Sequence, residues 1–172
     1  MRYLPDEPFP PYSYVPGRFP HPTSDPRGHG YGGAAHEPEP LDENRWAECR
    51  TYLRGIDLFN HGYYWEAHEA WESLWLAANR QGRAATFLKG LIKLAAAGVK
   101  AREGRSAGVR SHAARAVELL TAARAPAGED QKFLGLDVAE LAKAAWNFSE
   151  DQPVATADQP VLVVMPFELL PS

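Results

Sequence analysis

A chain of 172 residues with one cysteine, Cys49, is long enough to bury a core without disulfides or a structural metal. Its formal net charge of −4 argues against nucleic acid as a main partner, because phosphate binding rests on a surplus of Lys and Arg. The opening MRYLPDEPFP has no apolar leader run, and LKGLIKLAAAGVKA is broken by Lys89, Lys93 and Lys100, so the expectation is a cytoplasmic protein that engages no membrane.

Composition divides the chain into three parts. Ten of the fifteen prolines lie in residues 1–40, where fixed φ angles and missing N–H donors exclude helix and central strand. Tyr3, Phe9, Tyr12, Tyr14, Phe19 and Tyr31 give this arm apolar anchors that a solvated tail lacks, so it is expected to lie along the folded body. Residues 41–150 have helical periodicity with Pro126 as their one proline, and residues 151–172 end in DQPVLVVMPFELLPS, a β-branched apolar run that reads as a strand-like tail covering apolar surface.

Within the middle part the spacing predicts an all-α antiparallel bundle of four to five helices. A first helix spans about Asp42–Asn60, with Trp46, Cys49, Leu53 and Ile56 on one face and Gly62 as a left-handed cap. The second is YYWEAHEAWESLWLAANR, residues 63–80. The third, about Ala84–Glu103, has an apolar arc broad enough to touch neighbours on more than one side, which makes it central. The fourth runs from Ser106, a candidate N-cap, to Arg124 and buries Val109, Ala113, Ala116, Val117 and Leu120. After the loop APAGEDQKFLG a fifth covers Asp137–Phe148.

The second helix carries the chemistry. At 100° per residue Tyr64, Ala67, Trp71, Leu74, Trp75 and Ala78 form its core stripe, and Trp65 lies off it. His68 falls at the margin of the stripe, Glu72 one step further round and Glu69 beyond it, while Glu66 is expected to face solvent. A His and a carboxylate at i, i+4 can offer two ligands to one divalent metal ion, or let the carboxylate orient the imidazole for proton transfer. The plainer reading is a hydrogen-bonded pair satisfying a half-buried imidazole. A durable metal site needs a third ligand, for which His112 on the fourth helix and His21, Asp25 and His29 on the arm are candidates. Lys89 and Lys93, with Lys100, make one stripe on the third helix that either neutralises Glu69 and Glu72 or faces solvent. Cys49 reads as inert packing. HExxH, CxxC and phosphate-loop motifs are absent from the sequence.

The run FNHGYYWEAHEAWESLW, followed by FLKGLIKLAAAGVKAREGRSAGVRSHAARAVELL, resembles domain-of-unknown-function family 309, a group of small all-helical bacterial and archaeal proteins. The family hallmark, His-x3-Glu-x2-Trp/Tyr, corresponds here to His68, Glu72 and Trp75. The resemblance extends over about residues 50–122 and includes Asn60, Gly62, Glu69, Gly90, Leu91, Ile92 and Ala95. It implies a metal site at the hallmark and leaves the reaction blank. The lysines at 89 and 93 depart from the Gln expected there, and the arm and tail lie outside the pattern.

Two functions follow from these residues. One is a metal-dependent hydrolase acting on a small molecule, with His68, Glu72 and His112 as ligands, Glu69 as general base or further ligand, and Trp75, Asn60, Lys89 and Lys93 as site wall. The other is a non-catalytic module in which the motif fixes helix packing and the aromatic arm engages a protein partner or a second copy in a homodimer.

Overall fold

A computed structural model describes residues 2–33, 40–126, 131–155 and 158–172 of the chain. Five helices dominate: α1 Arg50–Asn60, α2 Tyr64–Ala77, α3 Gly82–Arg102, α4 Ser106–Ala122 and α5 Val138–Asp151. The expected helical bundle is therefore present. Successive helices pack on one another, so α3 has α2 on one side and α4 on another, the position its broad apolar arc implied.

The helix ends refine the expected bounds. The first helix begins later than its periodicity suggested: Trp46–Glu48 form a 3-10 turn and Cys49 is extended before α1 starts. That break turns the Trp46 ring onto Tyr52, with centroids 6.2 Å apart. Gly62 ends α1 with φ +87°, in the left-handed region where glycine pays no steric penalty. Ser106 is the first residue of α4, not its cap, which is Arg105. Asp137 caps α5 through its side chain, accepting the Ala139 and Glu140 N–H groups at 2.9 and 3.0 Å. The stretch before it also holds an unexpected element, a two-residue antiparallel pair with β1 Lys132–Phe133 and β2 Leu136–Asp137. Residues 127–130 of the predicted loop lie outside the described residues.

Two close approaches set how the helices meet. Trp71 is fully buried and lies against Gly55 of α1, where an added Cβ would stand 2.2 Å from the indole Nε1; that nitrogen donates to the Tyr52 carbonyl at 3.3 Å. Tyr64 lies on Gly98 of α3, where a Cβ would stand 2.6 Å from the ring. Bulk at either glycine would push two helices apart.

The ends of the chain are held by side chains of the bundle. Buried Asp57 accepts the N–H groups of Tyr3 and Leu4, both at 2.8 Å. Phe9 stacks on Tyr63 with centroids 4.8 Å apart, and the Arg2 and Arg54 guanidinium groups lie 4.2 and 5.2 Å from its ring centroid. The tail forms no strand among the described residues. Its polar backbone is met by side chains instead: the Tyr64 hydroxyl accepts the Val164 and Met165 N–H groups at 2.8 and 3.0 Å, and Asn60 exchanges two hydrogen bonds with Leu169 at 2.7 and 2.8 Å. Pro160 and Pro166 limit the donors a strand ladder would need. Buried Arg102 donates to the Gln159 carbonyl at 2.6 Å. Ser13 N–H reaches the Pro160 carbonyl at 2.9 Å, so arm and tail also meet each other.

Trp71 and Trp75 were expected to share the core stripe, but only Trp71 is fully buried; Trp75 is half-buried at the bundle edge. Trp71→Ala should therefore cost about 3–5 kcal/mol in denaturant melts, the range for a large aromatic removed from a packed interior, and Trp75→Ala clearly less. Equal losses would mean that the two rings share one environment.

Candidate metal centre

The motif residues sit on the outward margin of α2. His68, Glu69 and Glu72 each place a ligand atom within 4.8 Å of the others, the one such group among the described residues. Helical spacing brings His68 and Glu72 onto neighbouring turns, and Glu69 reaches back so that its Oε1 lies 3.2 Å from His68 Nδ1. The imidazole contact thus falls on Glu69 where Glu72 was the expected partner. Exposure grades the three: the His68 side chain is 27 % exposed and Glu69 47 %, with Glu72 half-buried. All three can meet an ion arriving from solvent, while the apolar stripe beneath holds their helix in place.

Around this corner stand basic groups from the next two helices. Lys89 Nζ lies 3.7 Å from the Trp75 ring centroid, and the Arg80 guanidinium carbon 5.2 Å from the same ring. Burial pushes the Lys89 ammonium below its ordinary range; Glu72 opposes this, and Lys93 and Arg80 add to it. Lys93 is half-buried and makes no hydrogen bond or ion pair among the described residues. Lys100, on the same stripe, is paired with Glu103 at 2.9 and 3.0 Å. His112, half-buried on α4, is pushed below 6.5 by burial first and then by Lys93, Lys100 and His68, with Glu103 opposing. It lies in the electrostatic field of His68 but outside the group of three.

The remaining candidates have other tasks. Asn60 spends both ends of its amide on Leu169, which leaves no polar atom for a site wall. On the arm, His21 Nδ1 faces the N–H groups of Thr23 and Ser24 at 3.3 Å, and Asp25 is engaged by Arg27. His29 Nε2 lies 3.1 Å from Glu66 Oε1. None of the three joins the His68 group.

Glu66 itself corrects the sequence expectation. Its side chain is 7 % exposed, and its Oε1 also accepts the Tyr14 N–H at 2.9 Å. The arm covers this side of α2, with Tyr14 and His21 edge-on to Trp65 at 5.0 to 5.4 Å between neighbouring rings. Helical phase reports only what the helix presents, and a covering segment without its own period leaves no trace in it.

The described residues also line a cavity of about 320 Å3 between Trp46, Arg83, Lys132, Phe133 and Ser172, remote from every motif residue in its lining. No helix among the described residues is long and apolar enough to cross a membrane.

Residues 52–112 match the family described as Domain of unknown function (DUF309). Over that span the chain is similar to DUF309. That span begins in α1 and closes at His112, so it contains His68, Glu69, Glu72, Trp75, Lys89, Lys93 and His112 and leaves the arm and tail outside. No curated protein matches the chain.

The lowered pKa of His112 has a definite sign. Between its unfolded value and its lower folded value the unfolded chain binds the proton first, so stability should fall as pH drops below about 6.5. Urea melts at about pH 8 and about pH 5.5 should show a smaller acid loss for His112→Gln than for the unaltered chain; the same loss in both would place the acid sensitivity elsewhere.

Proposed function

We propose that the His68, Glu69 and Glu72 corner of the DUF309-like span binds a divalent metal ion and that the protein is a metal-dependent hydrolase of a small molecule. The observation that carries this reading is the mutual approach of one imidazole and two carboxylates within 4.8 Å on one helix margin. The donor set fits: an imidazole with two carboxylates suits zinc or manganese, and three protein ligands leave open positions on the ion, the arrangement of catalytic rather than structural sites. A bound ion would supply Lewis-acid polarisation of the scissile group.

The surrounding residues then divide the work. His68 and Glu72, less exposed than Glu69, hold the ion. Glu69 is free to turn between a ligand position and a general base that takes a proton from the attacking water. The Trp75 face, stacked by Lys89, walls one side. His112, held towards its neutral form by burial and nearby lysines, keeps an acceptor nitrogen available at neutral pH.

Glu72→Gln is the direct test. The amide fills the same space but carries no charge, so the fold should persist while affinity for zinc or manganese drops at least tenfold in calorimetric titration, the scale of a lost charged contact. No binding by the unaltered chain, or equal binding by the variant, would overturn the metal assignment.

A further inference from the structure

The cavity of about 320 Å3 beside the start of α3 takes no part in the metal reading. Its walls come from four separate stretches of chain: residues 43–46, the first turn of α3, the hairpin over 132–135 and the end of the tail. The hairpin turns tightly because Leu134 and Gly135 are both left-handed, with φ +48° and +78°. Leucine keeps that conformation only where neighbours fix it. Tyr52 of α1 does so: its hydroxyl donates to the Leu134 carbonyl at 2.9 Å, and its ring meets Trp46 edge-on. Trp46 in turn closes over Gly135, where an added Cβ would stand 2.5 Å from the indole. Two walls of the cavity are thus tied to one buried residue of α1, which makes the cavity a pre-formed one.

Arg83 is the side chain on this lining whose shape selects a ligand. Its Nε donates at 2.9 Å to the carbonyl of Ala123 at the end of α4, and its guanidinium carbon lies 4.0 Å from the Phe133 ring centroid. Phe133 is itself buried and held edge-on by Phe87, with centroids 5.4 Å apart. A side chain that ordinarily loses much rotamer freedom on binding is here fixed from two sides in advance. The terminal amino groups of its fork meet water, and a ligand that replaces that water needs two acceptor oxygens in one plane, as a carboxylate has. The other charges on the lining constrain the rest of the ligand. Lys132, whose ammonium donates to the Ser172 hydroxyl at 2.8 Å, adds positive charge, and Glu43 brings a carboxylate. One anionic group is favoured beside the two bases, whereas a second would meet Glu43, which suits a hydrogen-bond donor instead.

We infer that this cavity binds a small monocarboxylic acid with a hydrogen-bond-donating far end, its carboxylate gripped by the Arg83 fork. The volume, at the lower end of small-molecule sites, suits such a ligand. A phosphate dianion fits less well, because its charge faces every side and would confront Glu43 as well as the bases. None of the cavity residues belongs to the His68 corner, so the assignment stands or falls independently of the metal reading.

The test is an NMR titration of the isotope-labelled full chain, without added metal, using two molecules of the same shape. Glutaramate has one carboxylate and one amide end; glutaramide has an amide in place of the carboxylate. Glutaramate should give saturable shifts of the Trp46 indole N–H and of the Phe133 and Gly135 amides, with His68 to Glu72 of α2 unmoved. Glutaramide should bind at least tenfold more weakly, and inorganic phosphate more weakly than glutaramate. Arg83→Lys keeps the charge but loses the fork and should weaken glutaramate at least tenfold, while Arg83→Gln should abolish its binding. Thermal melts of both variants check the fold, and the glutaramate and glutaramide comparison on the unaltered chain decides the matter even if a variant does not fold. Absence of saturable shifts with glutaramate, equal affinity for glutaramide or phosphate, unchanged glutaramate affinity in Arg83→Lys, or shifts confined to α2 would each overturn the assignment.

Discussion

The missing side chain at Gly98 lets the Tyr64 ring rest on the backbone of α3, and the rest of the structure depends on that contact. It sets the register of α2 along α3, which in turn puts Trp75 under Lys89. The same tyrosine sends its hydroxyl outward to accept two amides of the tail, at Val164 and Met165. Burial pushes that hydroxyl's pKa up, and the two amides oppose the shift only in part, so it stays protonated under ordinary conditions. One residue thus couples the spacing of two core helices to the attachment of a segment a hundred residues away.

The carboxylates of α2 show how little sequence distance separates structural from chemical use. Glu66, one turn before the metal corner, is enclosed by the arm and satisfied by Tyr14 and His29 on one oxygen. Its other oxygen has no hydrogen-bond partner, and buried Arg102, which senses Glu66 electrostatically, likewise keeps an unpartnered Nε. Glu69 and Glu72 remain open to solvent and to ions. What distinguishes them is the covering segment, because all three belong to the same regular helix.

This also explains what was legible in the sequence. The helices over 50–122 could be read because their apolar residues recur with the helical period, and Gly62 marks the turn between the first two. The His68, Glu69 and Glu72 grouping followed from the same geometry. Glu66 and Trp75 were misplaced, since a moment about the helix axis cannot tell a core from a covering arm or an edge from a centre. Trp65 lies off the stripe and yet packs with Tyr14 and His21. The pair Lys132–Phe133 and Leu136–Asp137 is too short to leave an alternating pattern, and the tail's apolar run resembled a strand because β-branched residues suit any extended chain, paired or not. Asn60 has the look of a site residue in sequence, but its work is done by a partner that only the folded tail brings near.

The fastening of both chain ends by single side chains has a consequence for the order of assembly. The helices of the bundle meet their sequence neighbours, contacts that form early because little chain entropy is lost in closing them. The links from Tyr3 and Leu4 to Asp57, and from Leu169 to Asn60, span about fifty and more than a hundred residues and present no ladder along which pairing can propagate. Contact order therefore favours arm and tail settling late, the arm through Asp57 and Glu66 and the tail through Asn60, Tyr64 and Arg102. Because both are held at a few points on the bundle and touch each other at Ser13 and Pro160, local opening of the ends with the helical core closed should appear in amide exchange as a free energy below that of global unfolding.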